Sequence, residues 1–269
     1  MSEAVIHRVL GAVRFLDGTT GRPITSKLRL GASVPVDFRR NASGAYVIWR
    51  AAGLDAHTGH EPGMTDAKFE ALLEAPPASP APGSVKITAS VEDPSGEHLP
   101  RRFEIALPRS TTAPTGQTPD LFEPIDVVLH RSTAARLTGM GALLYAFVHD
   151  GRGAKGRLPG ARVTVVVDGD EVGRATTGPS GEAVLELLGL PSFVTGSGGG
   201  AVTTPEIDAT VRASVLPALL KDESGAWKLA TLPDPDSADF DAATAQKATE
   251  SATLSVGRPA SVSLSVSLT

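Results

Sequence analysis

From Pro159 to Leu187 the chain reads PGARVTVVVDGDEVGRATTGPSGEAVLEL, and this stretch permits little besides β-structure. Val163, Val165 and Val167 alternate with Arg162, Thr164 and Val166, which is the period of a strand and not of a helix. Asp168-Gly169 supplies the positive backbone angles of a tight hairpin turn. Val172 to Thr176 returns, and Gly178-Pro179-Ser180-Gly181 reverses the chain again. Ala183, Leu185 and Leu187 then alternate with Val184 and Glu186. Three short strands and two turns follow.

The same grammar runs along most of the chain. Val9, Gly11, Val13 and Phe15 share one face of a first strand, followed by a turn over Asp17 to Pro23. Leu28 and Leu30 open the next strand. Val34, Val36 and Phe38 alternate with Pro35 and Asp37, and Pro35, which has no ladder donor, places that strand at a sheet edge. Tyr46 to Trp49, Val85 to Val91, Phe103 to Leu107, Ile125 to Leu129 and Ile207 to Leu216 repeat the pattern. Thr65 to Glu74 reads equally as a short capped helix or as a loop closed by Pro76-Pro77. Ala75 to Ser84 reads as a loop, Trp227 to Leu232 as a strand, and Ala238 to Glu250 as a short helix or an ordered loop. In the tail, Ala260, Val262, Leu264, Val266 and Leu268 alternate with serines. So neutral a strand is expected inside a sheet, or at an edge that a partner covers. Asp17…Gly21-Arg22-Pro23, Asp93…Gly96…Pro100 and Asp150…Gly156-Arg157…Pro159 each follow an apolar strand, as a duplicated module or as turns reusing the same residues.

Composition narrows the function classes. Gly 28 and Pro 21 in 269 residues are about 18% of the chain against roughly 12% on average, as many turns require. A net charge of -5, no long basic run and 4% aromatics disfavour nucleic-acid binding. Cysteine is absent, which removes disulfides and thiolate metal sites. No apolar run is long enough to span a bilayer, and Met1 to Gly11 does not read as a signal peptide, so the expectation is a cytoplasmic protein.

Asp55, His57, His60 and Glu61 cluster in D-A-H-T-G-H-E, part of what a zinc site needs. The H-E-x-x-H order that sets ligands and base on one helical face is missing, so solvated loop residues are the simpler reading. Asp168, Asp170 and Glu171 lack calcium-loop spacing and read as charged hairpin corners. GSGGG at Gly196 to Gly200 is not a phosphate loop, and no G-x-S-x-G elbow occurs. No catalytic, cofactor-binding or metal-binding residue set is therefore assigned, and no cofactor is expected.

Two resemblances bear on function. Over Leu137 to Leu190, an apolar strand, a D-G turn, the Gly156…Pro159-Gly160-Ala161 stretch, the hairpin and Thr177…Gly181-Glu182-Ala183 resemble the carboxypeptidase regulatory-like domain, a small transthyretin-type sandwich. That resemblance implies a spacer or docking module without a peptidase site. Most of the chain is also similar to proteins encoded with contractile injection systems, the phage-tail-like particles of bacteria. That similarity rests on Phe15-Leu16-Asp17…Thr20-Gly21-Arg22-Pro23-Ile24, Arg39 to Val47, Arg101 to Pro108 and Leu121 to Val127. It implies a non-enzymatic component at cap, collar or baseplate whose partners are other subunits of the particle, such as sheath and tube. The expected fold is all-β, two antiparallel Ig/transthyretin-like sandwich domains over 1–135 and 136–269, with contact loops at 51–84, 110–120 and 192–206. A carbohydrate- or surface-binding module is the alternative, and a hydrolase with a dispersed site a further one.

Overall fold

Alternation of apolar and polar residues sets the strands of the first half. They are β1 (Gly11–Asp17), β2 (Arg29–Ala32), β3 (Val36–Arg40), β4 (Tyr46–Ala51), β5 (Val85–Glu92), β6 (Arg101–Leu107) and β7 (Ile125–Leu129). In β1 and β6 every second residue is buried, as a half-wet sheet demands. The strands form two sheets, in the orders β3-β4-β1-β7 and β2-β5-β6. β3 ends its sheet, where Pro35 leads into it, as its missing N–H dictates. Phe15 packs edge-on against Tyr46 and Phe103, with centroids 5.7 and 5.8 Å away. The Tyr46 hydroxyl accepts the Leu28 amide at 2.8 Å, so this buried phenol is satisfied.

The second half holds β8 (Ala142–His149), β9 (Arg162–Val167), β10 (Asp170–Thr176), β11 (Glu182–Leu187), β12 (Val194–Thr195), β13 (Val202–Thr203), β14 (Ile207–Val215), β15 (Gln246–Leu254) and β16 (Ala260–Ser265). Their sheets are β10-β9-β14-β15, β11-β8-β16 and the pair β12-β13. The β9–β10 turn is the expected one: Asp168 at φ 52° and Gly169 at φ 94° connect Val167 to its partner Asp170. Gly181 closes the next reversal at φ 71°, and a Cβ there would meet the Leu158 amide nitrogen at 2.9 Å and the Val148 carbonyl at 3.0 Å. One buried cluster draws on both larger sheets, with Leu144, Val163, Val211, Leu254 and Leu264 all fully enclosed. Thr177, also fully enclosed, accepts the Ala161 amide and donates to the Leu158 carbonyl.

The structure, a computed structural model, describes residues 9–52, 54, 85–109, 116–118, 121, 123–152, 156–191, 194–195, 202–217 and 234–268. It is all-β with several antiparallel sheets; β16 joins β8 in parallel. Among the described residues, no helix is long and apolar enough to cross a membrane. Two compact units divide the chain: Met1–Leu16, Pro23–Val91 and Arg102–Val128 in one, and Asp17–Arg22, Glu92–Arg101 and Leu129–Thr269 in the other.

The tail strand β16 stands at the end of its sheet order, the edge position of its two expected places. One expectation is corrected. The stretch 238–250 is not a helix: Ser237 caps a single 3-10 turn at Ala238–Phe240, and β15 begins at Gln246. The readings of Thr65 to Glu74, Ala75 to Ser84, Gly196 to Gly200 and Trp227 to Leu232 lie outside the described residues.

Candidate functional site

Asp55, His57, His60 and Glu61 also lie outside the described residues. Asp168, Asp170 and Glu171 sit at the β9–β10 hairpin, where Glu171 pairs with Arg174 through two hydrogen bonds of 2.9 and 3.0 Å. Among the described residues, no group of three His, Asp or Glu is arranged to hold a metal ion.

What the fold does gather is a buried ionic network within the second unit. It starts from the recurring aspartates of the turns. Asp17 ends β1, and its Oδ1 accepts the Thr19 and Thr20 amides at 3.0 and 2.7 Å, as short acidic side chains do after a strand. Asp93, after β5, accepts the Ser95 amide and hydroxyl at 2.9 and 2.7 Å in the same way. Both leave Oδ2 for His98. The ring Nδ1 lies 2.7 Å from Asp93 Oδ2 and Nε2 lies 3.1 Å from Asp17 Oδ2. Arg131 Nε donates to the same Asp17 oxygen at 2.9 Å, and its Nη1 donates to Glu186 at 3.2 Å. Glu186 also accepts the Thr138 amide and hydroxyl and the Gly139 amide. Asp17, Asp93, His98 and Glu186 are all buried.

Electrostatics follow from these contacts. Burial alone would push the carboxyls up. Hydrogen bonds from His98 and Arg131 hold Asp17 far below the usual carboxylate range. His98 and Ser95 lower Asp93, and Thr138 and Gly139 lower Glu186. Burial would lower His98, but the two aspartates outweigh it and raise it above its ordinary 6.5.

A second cluster surrounds His130. Arg101 Nη2 donates to Asp234 at 2.8 Å and to Asp236 at 2.6 Å, and Arg174 donates to Asp236 at 3.2 Å. His130 is buried, and burial, with Arg101 nearby, pushes it down to about 4. His130, Arg131, Gly173, Arg174 and Glu186 line a cavity of about 80 Å³. At roughly 15 Å³ per water such a space suits a few waters and no metabolite. Nearby, Arg162 pairs with Asp241 and its guanidinium lies 5.0 Å from the Phe240 ring centroid.

An open recess of about 430 Å³ lies over β14 and β15, lined by Asp168, Asp208, Thr210, Ser251 and Thr253 among others. Its carboxylates and hydroxyls match polyol hydrogen bonding, but among the described residues no aromatic ring lines it to stack on a sugar face.

General acid–base chemistry needs a nitrogen or carboxylate free to face a substrate. His98 has none, since both ring nitrogens are taken by carboxylates. Sequence reasoning named Asp17 and Asp93 only as turn residues and did not single out His98, Arg131, Glu186 or His130. The one signal was the repeated aspartate after a strand. Comparisons with family models, curated proteins and solved structures return no match.

Proposed function

We propose that this chain is a non-enzymatic structural or adaptor component of a contractile injection system or phage-tail-like particle. It acts through protein–protein contacts with neighbouring subunits. The observation that carries the reading is the state of the buried charges: Asp17, Asp93, His98, Arg131 and Glu186 are spent on one another. Such a network fixes turns in place; it does not present a reactive group. The sequence resemblance to particle-associated proteins supplies the setting.

On this reading each half of the chain, 1–135 and 136–269, is a sandwich of the Ig/transthyretin kind, and the later one is of the carboxypeptidase regulatory-like type. The shared buried cluster of the two larger sheets in the second unit supports the latter. Assembly takes place in the cytoplasm. Loops on rigid sheets, and strand ends such as β16, are the contact surfaces. Mass spectrometry of purified intact particles tests the assignment: the chain is expected at a fixed ratio to sheath and tube, and its absence from intact particles overturns it.

The recess at Asp208, Thr210 and Ser251 favours a second reading, a carbohydrate- or surface-binding module. A glycan array decides for it if specific sugars bind and if Asp208→Asn abolishes that binding.

A further inference from the structure

We propose that His98 is a doubly protonated clasp joining the turn after β1 to the turn after β5, and that removing one of its protons opens that clasp. The argument is one of donors and acceptors. Nδ1 faces an Asp93 oxygen at 2.7 Å and Nε2 faces an Asp17 oxygen at 3.1 Å. Both oxygens belong to carboxylates that have other donors on Oδ1, from Thr19, Thr20 and Ser95. A neutral imidazole carries one N–H and one lone pair. Either tautomer would therefore aim a lone pair at a buried carboxylate oxygen. Only the imidazolium fills both contacts with donors.

The charges around the ring agree. Facing it are Asp17 and Asp93; Arg131 shares the Asp17 oxygen, and Glu186 lies behind Arg131. At the rim, Glu97 and Arg136 offset each other at 3.7 Å. Three carboxylates thus stand against Arg131 and the His98 ring, so the charge on the ring leaves one of them uncompensated and its loss leaves two. The shift of His98 above 6.5 has the same origin.

The linkage sign is definite. A histidine whose folded value is raised stabilises the fold fully below its unfolded value, about 6.5. That contribution is lost as pH rises through the higher folded value. The device is therefore closed below 6.5 and opens as pH rises through the raised folded value. Its opening exposes the backbone joints that the clasp braces: the Leu99 amide on the His130 carbonyl (2.8 Å), the Ser132 amide on the Glu97 carbonyl (2.9 Å) and the Gly18 amide on the Leu129 carbonyl (2.9 Å).

The test uses the full chain labelled with nitrogen-15. Long-range proton–nitrogen spectra at pH 7, with His98 assigned by comparison with His98→Gln, should show both ring nitrogens protonated. Above the His98 transition, amide-exchange protection at Leu99, Ser132 and Gly18 should fall by about tenfold or more, the factor tied to each tenfold change in proton affinity. Protection in β14 should hold. Asp93→Asn, which keeps the shape and removes one charge, should lower the pH of the transition. A single protonated ring nitrogen at pH 7 overturns the proposal. So does protection at these three amides that shows no step between pH 6 and 10. Should His98→Gln fail to fold, the spectra of the unaltered chain and of Asp93→Asn give the same two decisions.

Discussion

Asp17 is where the largest number of donors meet. Two backbone amides, the Thr20 hydroxyl, His98 and Arg131 all point at one carboxylate. Asp17→Asn keeps the shape and removes the charge, so Arg131 keeps only Glu186, and the imidazole ring only Asp93, as a carboxylate partner. Breaking a buried ionic arrangement from one side costs about 3 kcal/mol. Urea unfolding at pH 7 should show that loss, and a midpoint unchanged from the parent would refute the role given to Asp17. His130 gives an opposite, acid-side signature. It is held neutral, with its value pushed from 6.5 down to about 4. The unfolded chain therefore binds a proton that the folded chain refuses between those values. Stability should fall as pH drops from 6.5 towards 4, by up to about 3 kcal/mol. His130→Leu should flatten this limb, leaving the carboxylate-driven loss below it; an unchanged slope between pH 6.5 and 4 would count against a buried neutral His130. The turn aspartates were legible as residues that recur after strands. Their convergence on His98 was not, because 81 positions separate Asp17 from His98 and no local pattern records that distance.

At the scale of elements, turns and half-buried strands carried the clearest signal. The β9–β10 hairpin, the β3 edge at Pro35 and β14 all follow from spacing and turn chemistry. β15 did not show itself because its inward face holds only the small Ala248 and Ala252, between Gln246 and Glu250, before Leu254 at its end. Without large side chains on one face, a period of two has no amplitude. The tail pattern of β16 gave the strand but not its place in the sheet, since alternation reports faces and not neighbours. A stability test belongs to the Gly178–Gly181 reversal. Gly181 needs φ 71° and leaves no room for a Cβ beside backbone atoms of Val148 and Leu158. Gly181→Ala should cost about 1–3 kcal/mol. A thermal midpoint equal to the parent's would show that the turn relaxes freely.

For the molecule as a whole, under the proposed function the sheets are the scaffold, interior ion pairs the braces, and outer edges and loops the working surface. Fold class was legible because strand period and turn residues repeat along much of the chain. Partners were not, since contact surfaces on rigid sheets need no fixed residue set, and the segments 51–84, 110–120 and 192–206, expected as contact loops, have no period to read. The most direct measurement is electron cryomicroscopy of particles from cells with and without this chain. The account predicts that deletion removes a defined density that two all-β units fit, or blocks assembly at the stage where that density belongs. Particles complete and identical in both preparations would contradict it.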